Sequence, residues 1–286
     1  MSFKRSNTGL NEIYKVHKMK KITPAIAVLG SLLCISSYAD STPTLSDGYS
    51  PGDSDSKWLV GAHAVTLNNP YKSADNINFL LPVVEYRGDV FFLKDGEFGA
   101  KIFGTGETDN GVFSSGLLLR GQVSYLEDED NYDDDEALIG LKERESVGEA
   151  GIYFRHKSEL GQAKIKLLTD LHDENYGNSA EAQYIFDLSS NQWQVNQTIT
   201  AIWQDSDRIN HFYGVSASEA TNTRAEYKGK SAINLIVGID GRYRVNENWD
   251  IKAGLAYVYL DDAITDSSIV SEDGISLFSM GTEYNF

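Results

Sequence analysis

Asp170 and Asp173 flank His172, and His211 stands shortly before Ser216 and Ser218. An acid that orients a histidine makes a general base, and a serine within its reach makes a nucleophile. No G-x-S-x-G turn accompanies either histidine, and a chain this acidic sets carboxylates beside histidines by chance. His63 and His156 fall inside strand-like segments and read as structural. The run Glu127-Asp128-Glu129-Asp130-Asn131-Tyr132-Asp133-Asp134-Asp135-Glu136 offers oxygen ligands to Ca²⁺ or Mg²⁺. It lacks the glycine and the spaced ligands of an EF-hand, and a block of like charge reads first as a solvated loop. Metal spacings, phosphate loops and dinucleotide fingerprints are missing too. The expectation is a protein with no catalytic residues and no cofactor.

The more telling polar residues lie on one face of alternating segments. Strand-length alternation is read near 57–67, 77–87, 89–94, 97–105, 115–126, 147–157, 161–171, 179–187, 192–204, 231–244, 249–260 and 274–286. In 192–204, Trp193, Val195, Ile199, Ala201 and Trp203 face away from Gln194, Asn196, Thr198 and Thr200. In 115–126, Leu117, Leu119, Gly121, Val123 and Tyr125 oppose Arg120, Gln122 and Ser124. In the last segment Phe278, Met280, Tyr284 and Phe286 share one face, opposite Ser279, Gly281, Glu283 and Asn285. Several apolar faces carry aromatics at both ends, as at the two interfaces of a membrane.

Lipid offers no partner for unpaired backbone groups, so strands that cross it close into a barrel. The connections support this. Ser158-Glu159-Leu160, Leu188-Ser189-Ser190-Asn191 and Val245-Asn246-Glu247-Asn248 are short, and 127–146, 172–178, 205–230 and 261–273 are long. They alternate, as periplasmic turns and external loops do. Only the turn at Lys94-Asp95-Gly96 is tight where a long loop is due. The sequence therefore predicts an all-β, transmembrane antiparallel β-barrel of about twelve strands, with ten as the alternative. Arg120, Glu149, Arg155, Lys164, Lys166, Asp170, Glu181, Asp187, Asp240, Arg242, Arg244, Lys252 and Glu283 then point into the lumen. Charges of both signs there either form a hydrogen-bonded plug or line a small aqueous path.

The N-terminal sequence reads as an export leader. Residues 19–39 hold two lysines, an apolar run from Ile22 to Ile35, and Ser37-Tyr38-Ala39 before Asp40, the pattern of a secretory signal peptide. Residues 1–18 read as an upstream extension, 40–56 as a flexible periplasmic segment and 57–286 as the barrel. Cys34, the only cysteine, lies in the leader. The chain has 25 basic and 42 acidic residues, and without residues 1–39 it keeps 19 and 41, a net charge of −22. That sign excludes nucleic acid as a partner and disfavours docking on anionic lipid.

Short motifs carry a family resemblance. Asn210-His211-Phe212-Tyr213-Gly214-Val215-Ser216-Ala217-Ser218-Glu219-Ala220 resembles the Y-Y-F-G-V-s-x-x-E/Q-A segment of the MltA-interacting protein (MipA)/OmpV family. Gly140-Leu141-Lys142-Glu143-Arg144 is similar to its G-L/M-x-x-R. Asp266-Ser267-Ser268-Ile269-Val270 is similar to D-S-P-I-V, with Ser268 in place of proline, and Tyr284-Asn285-Phe286 to its Y-x-F ending. The resemblance implies an outer-membrane protein in contact with lipid, lipopolysaccharide and, through Tyr284 and Phe286, the barrel-assembly machinery. It further implies a non-enzymatic scaffold joining a murein-degrading lytic transglycosylase and a murein-synthesising penicillin-binding protein. A small-solute channel and an adhesin acting through the external loops are the alternatives. The family brings no catalytic residues, and Tyr213, Gly214, Val215, Ser216, Glu219 and Ala220 are its marker residues.

Overall fold

The computed structural model describes residues 57–286, apart from 106–110, 123, 134, 173–175 and 189–192. The extension, leader and N-terminal segment expected over 1–56 lie outside the described residues.

Twelve strands form: β1 (Trp58–Leu67), β2 (Ile77–Arg87), β3 (Phe91–Lys94), β4 (Glu97–Gly104), β5 (Val112–Gln122), β6 (Val147–Ser158), β7 (Gly161–Asp170), β8 (Asn178–Asp187), β9 (Trp193–Gln204), β10 (Ala232–Arg244), β11 (Trp249–Tyr259) and β12 (Gly274–Asn285). Each pairs antiparallel with its sequence neighbour, and β12 pairs with β1 from Leu59–Asn285 to Leu67–Leu277, closing the barrel. Among the described residues, two α-helices, α1 (Ser206–Tyr213) and α2 (Asp262–Thr265), lie in the external β9–β10 and β11–β12 loops.

Burial alternates along the strands. Leu117, Leu119, Ile165, Leu167, Ile199, Ile233, Leu255, Phe278 and Met280 are exposed on the outer face, where a soluble protein could not keep so many apolar side chains in water. At the level of the chain termini three ring pairs gird this belt: Trp58–Tyr86, Trp193–Tyr243 and Trp249–Tyr284, with centroids 4.8, 4.8 and 5.1 Å apart. Rings at an interface keep their bodies in hydrocarbon and their polar edges in water. Tyr284 and Phe286 face outward there and pack edge to face.

The largest departure from the sequence reading is in β5, read as 115–126, which starts earlier, at Val112. β5 stops at Gln122, and the chain then turns at Ser124, whose hydroxyl accepts from the Leu126 amide at 3.2 Å. Tyr125, expected on the outer face, is instead buried in a 3₁₀ turn, where it stacks on Tyr71 and donates to Asp135 at 2.8 Å. Alternation alone did not expose the stop, because apolar and polar residues keep alternating past it.

The β3–β4 hairpin explains the tight turn. Asp95 and Gly96 have φ of 53° and 75°, the left-handed pair of a two-residue turn that follows the strand twist. β3 is consequently short and meets β2 only at Tyr86–Leu93 and Arg87–Phe92, whereas β1 and β2 pair from Trp58–Tyr86 to Leu67–Ile77. Replacing Gly96 with valine should cost about 1–2 kcal/mol, seen as an earlier guanidinium unfolding midpoint of the refolded barrel. An unchanged midpoint would mean that this turn does not hold its left-handed geometry.

Candidate functional site

The inward charges form two groups. In the upper one, Arg120 on β5 donates its Nε to Glu149 on β6 at 2.6 Å and an Nη to Glu181 on β8, with Glu97 on β4 3.8 Å away. Lys166 on β7 pairs with Glu97 and lies 3.2 Å from Glu181, and Lys164 lies 3.7 Å from Glu97. Register puts these groups at one level: Glu97, Arg120, Glu149 and Asp170 are successive partners across β4 to β7.

The network is completed from outside the barrel. Asp205 caps α1 by accepting from the Arg208 amide at 3.0 Å, and its other oxygen accepts from the Asn178 amide at 2.7 Å. That fixes the helix at the mouth and aims Arg208 downward. Arg208 is fully buried, with Nη2 2.9 Å from Glu149, Nη1 2.6 Å from the Gln122 carbonyl oxygen and Nη2 3.0 Å from the Gly177 carbonyl.

The second group lies nearer the chain termini. Arg242 on β10 pairs with Glu283 on β12 at 2.8 Å and approaches Asp250 on β11 at 3.9 Å. His63 Nε2 lies 3.1 Å from Glu283, Arg87 bonds Glu85 at 2.9 Å, and Arg244 lies 3.6 Å from Asp250. Asp240 accepts from Asn196 at 3.4 Å, and Lys252 is buried on β11 opposite Arg242. Arg155, at the lower end of β6, donates to the Ser114 hydroxyl at 3.0 Å. Of the expected lumenal residues, Arg120, Glu149, Asp240, Arg242, Lys252 and Glu283 are buried, and Arg155 and Arg244 are half-buried toward the lower rim.

The external loops fill the mouth. Tyr71, Leu126, Tyr132, Leu138, Ile209, Phe212, Tyr213, Val215, Ile264, Ile269 and Val270 form one apolar core. Tyr71 stacks between Tyr125 and Tyr213, at 5.7 Å from each, and donates to the Phe212 carbonyl at 3.2 Å.

Three of the family-like motifs converge on this core. Glu219 accepts from the Ser216 amide at 2.9 Å, the Ser216 hydroxyl at 2.6 Å, the Lys142 amide at 2.9 Å and Arg144 at 2.9 Å. Arg144 also donates to the Gly214 carbonyl at 3.1 Å, and Ser267 donates to the Tyr213 carbonyl at 2.6 Å. Tyr213 and Val215 are buried side chains of the core, and Ala220 is exposed at its edge. Arg224 adds bonds to the Glu219, Ala137 and Ile139 carbonyls. Burial works against charge on Glu219, but Ser216, the Lys142 and Ser216 amides and Arg144 outweigh it and pull its carboxyl down to about 2.

The histidine–serine groups do not assemble. His172 bonds Asp170 at 2.7 Å, while His211 contacts the Glu145 carbonyl at 2.7 Å and stacks on Tyr176 at 3.9 Å. Burial pushes the His211 pKa down, and the Ser216 hydroxyl is committed to Glu219. In the acidic run, Asp135 serves Tyr125 and Asp128 caps the Asp130 amide at 3.0 Å. Sequence reasoning missed Glu85, Glu97 and Arg208. The first two sit at inward positions of strands, which parity could have found. Arg208 sits in a loop, where no periodicity marks a direction.

A closed twelve-stranded barrel with an apolar belt, aromatic girdle and charged interior is an outer-membrane β-barrel protein of a bacterium. The chain matches the family described as MltA-interacting protein MipA over residues 60–286 and belongs to it. MltA-interacting protein of Escherichia coli (strain K12) is 24% identical over 80% of this chain and 90% of its own length. Outer membrane protein OmpV of Vibrio cholerae is 23% identical over 80% of this chain and 87% of its own. Among solved structures, the NanC porin covers 79% of this chain with all of its own length, at 7% identity and a TM-score of 0.42, a distant likeness of barrel shape.

Two predictions follow the geometry. Glu149→Ala strands Arg120 and Arg208 without their shared acid and should cost about 3–5 kcal/mol, read as a lower unfolding midpoint; Arg155→Ala at the lower rim should cost less than about 1 kcal/mol. The folded pKa of Glu219 is depressed, so its contribution is full above the ordinary glutamate range and is lost as pH falls through about 2. Amide exchange over 206–227 should therefore rise on acidification toward pH 2 beyond the intrinsic rate change, and Glu219→Gln should raise it already at neutral pH. Exchange indifferent to both would rule out Glu219 as the group that ties these loops together.

Proposed function

We propose that this barrel is a non-enzymatic outer-membrane scaffold that holds a murein hydrolase and a murein synthase beside the membrane through its periplasmic end. The observation that carries the reading is that the lumenal charges of both signs are paired with one another, beneath a mouth closed by packed loops. The apolar loop core and Arg208 fill the mouth, the Arg120 group follows, and the Arg242 group lies below it. A porin needs a solvated path past its charges, whereas buried, mutually paired charges supply rigidity. The wall is then free to act as an anchor.

The periplasmic turns support docking there. Leu160, Leu188 and Val245 stand at the ends of strands or in the turns there, 80%, 55% and 50% exposed. Apolar side chains exposed at the periplasmic rim are suited to insertion into a partner's surface. The relative named MltA-interacting protein spans nearly the same barrel length, which agrees with an interaction made by the barrel rather than by an added domain.

The test is capture of purified lytic transglycosylase and penicillin-binding protein by the immobilised, detergent-folded barrel. Both enzymes should be retained. The double change Leu160→Asp with Val245→Asp should weaken retention at least about tenfold, while Lys228→Glu on an external loop should leave it unchanged. Retention of neither enzyme by the unaltered barrel would refute the scaffold reading.

A further inference from the structure

The barrel wall is notched on its external side. β2 bonds to β1 along its full length, but β3 meets it only at Tyr86 and Arg87 before turning back at Asp95-Gly96. From Ile77 to Glu85, β2 has no strand partner on its other edge among the described residues. At ~3.3 Å per residue and a tilt of ~40°, that edge rises about 20 Å. Pro82 sits within it, a residue without an N–H that sheets tolerate at edges. The Trp58–Tyr86 pair marks the periplasmic girdle, so the notch opens above it, within the apolar belt. Leu80, Pro82 and Val84 are exposed on the outer face of the same stretch, which is therefore part of the lipid-facing belt.

Behind the notch the lumen is apolar. The inward residues Phe79, Leu81 and Val83 are only half-buried, whereas His63, Val65 and Leu67 on neighbouring β1 are buried. Phe79 and Leu81 pack against a cluster that includes Val65, Ile236, Val258 and Leu277. The Arg120–Glu149 group begins beside the notch, at Glu97 on the first turn-side position of β4, and runs along β5 to β8. The inner face that β2 itself presents at the notch is thus apolar, and it continues into the apolar cluster on β1 and β10 to β12. The seam between β2 and β3 is held by two residue pairs, against eleven between β5 and β6, so it is also the place where the wall parts most easily.

We propose that the notch is a lipid site in which one acyl chain of a membrane lipid lies against Phe79, Leu81 and Val83. The occupant follows from position: the surface is continuous with the lipid-facing belt, and hydrocarbon is what surrounds it. It requires no opening of the loop core and no path through the lower ion pairs, and it is independent of the scaffold reading.

The test places the photoreactive residue p-benzoylphenylalanine at Leu81, or at Gln183 on the closed wall as an inward control, in the full barrel reconstituted into phosphatidylethanolamine nanodiscs. Illumination followed by intact-mass analysis reads covalent lipid adducts. Leu81 should be labelled at least about tenfold more than Gln183, and Val83→Trp should cut that labelling several-fold in protein whose gel mobility still shifts on heating. Phe79→Trp serves where Val83→Trp does not fold. Equal labelling at Leu81 and Gln183, or labelling at Leu81 undiminished by the filling variants, would overturn the proposal.

Discussion

A carboxylate inside a tube clad in hydrocarbon needs a cation beside it, and much of this barrel follows from that requirement. Glu149 is fully buried and is shared by Arg120 from the wall and Arg208 from the loops. Its two oxygens couple the register of β5 and β6 to the seating of α1. The desolvation cost of such a group is several kcal/mol per ion, so the pairing holds only if strands and loop arrive at the same height. The ion pairs are better understood as a specification of register and closure than as a net source of stability.

The plug adds a second layer of the same kind. An apolar core over the mouth would slide on a charged rim unless tied to it. Arg208 ties it to the lumen, Glu219 and Arg144 tie the β9–β10 loop to the β5–β6 loop, and Ser267 ties in the β11–β12 loop. The residues that mark the family are thus those that join loop to loop. This accounts for their clustering at the external end, away from the turns through which the proposed scaffold would act.

Much of the fold was legible because a lipid-facing strand must alternate. Segments such as 77–87 and 193–204 carry period-two faces throughout, and the parity of short and long turns fixed which end was which. The inward charges followed from the same parity. Three features did not follow. Tyr125 continued the alternation of β5 after the strand had ended, because a 3₁₀ turn capped by Ser124 leaves no periodic trace. Arg208 reads as one more loop cation until Asp205 caps the helix that aims it. The notch beside β2 depends on how many pairs a short hairpin can make, which is set by register and not by composition.

The central claim is that the lumen has no continuous aqueous path. Planar-bilayer recording of the refolded, heat-modifiable barrel at high salt tests it most directly. The account predicts a baseline without unitary steps across the voltage range. Regular, voltage-independent unitary conductance from the unaltered protein would contradict it, because ions would then be passing the Arg120–Glu149 and Arg242–Glu283 pairs.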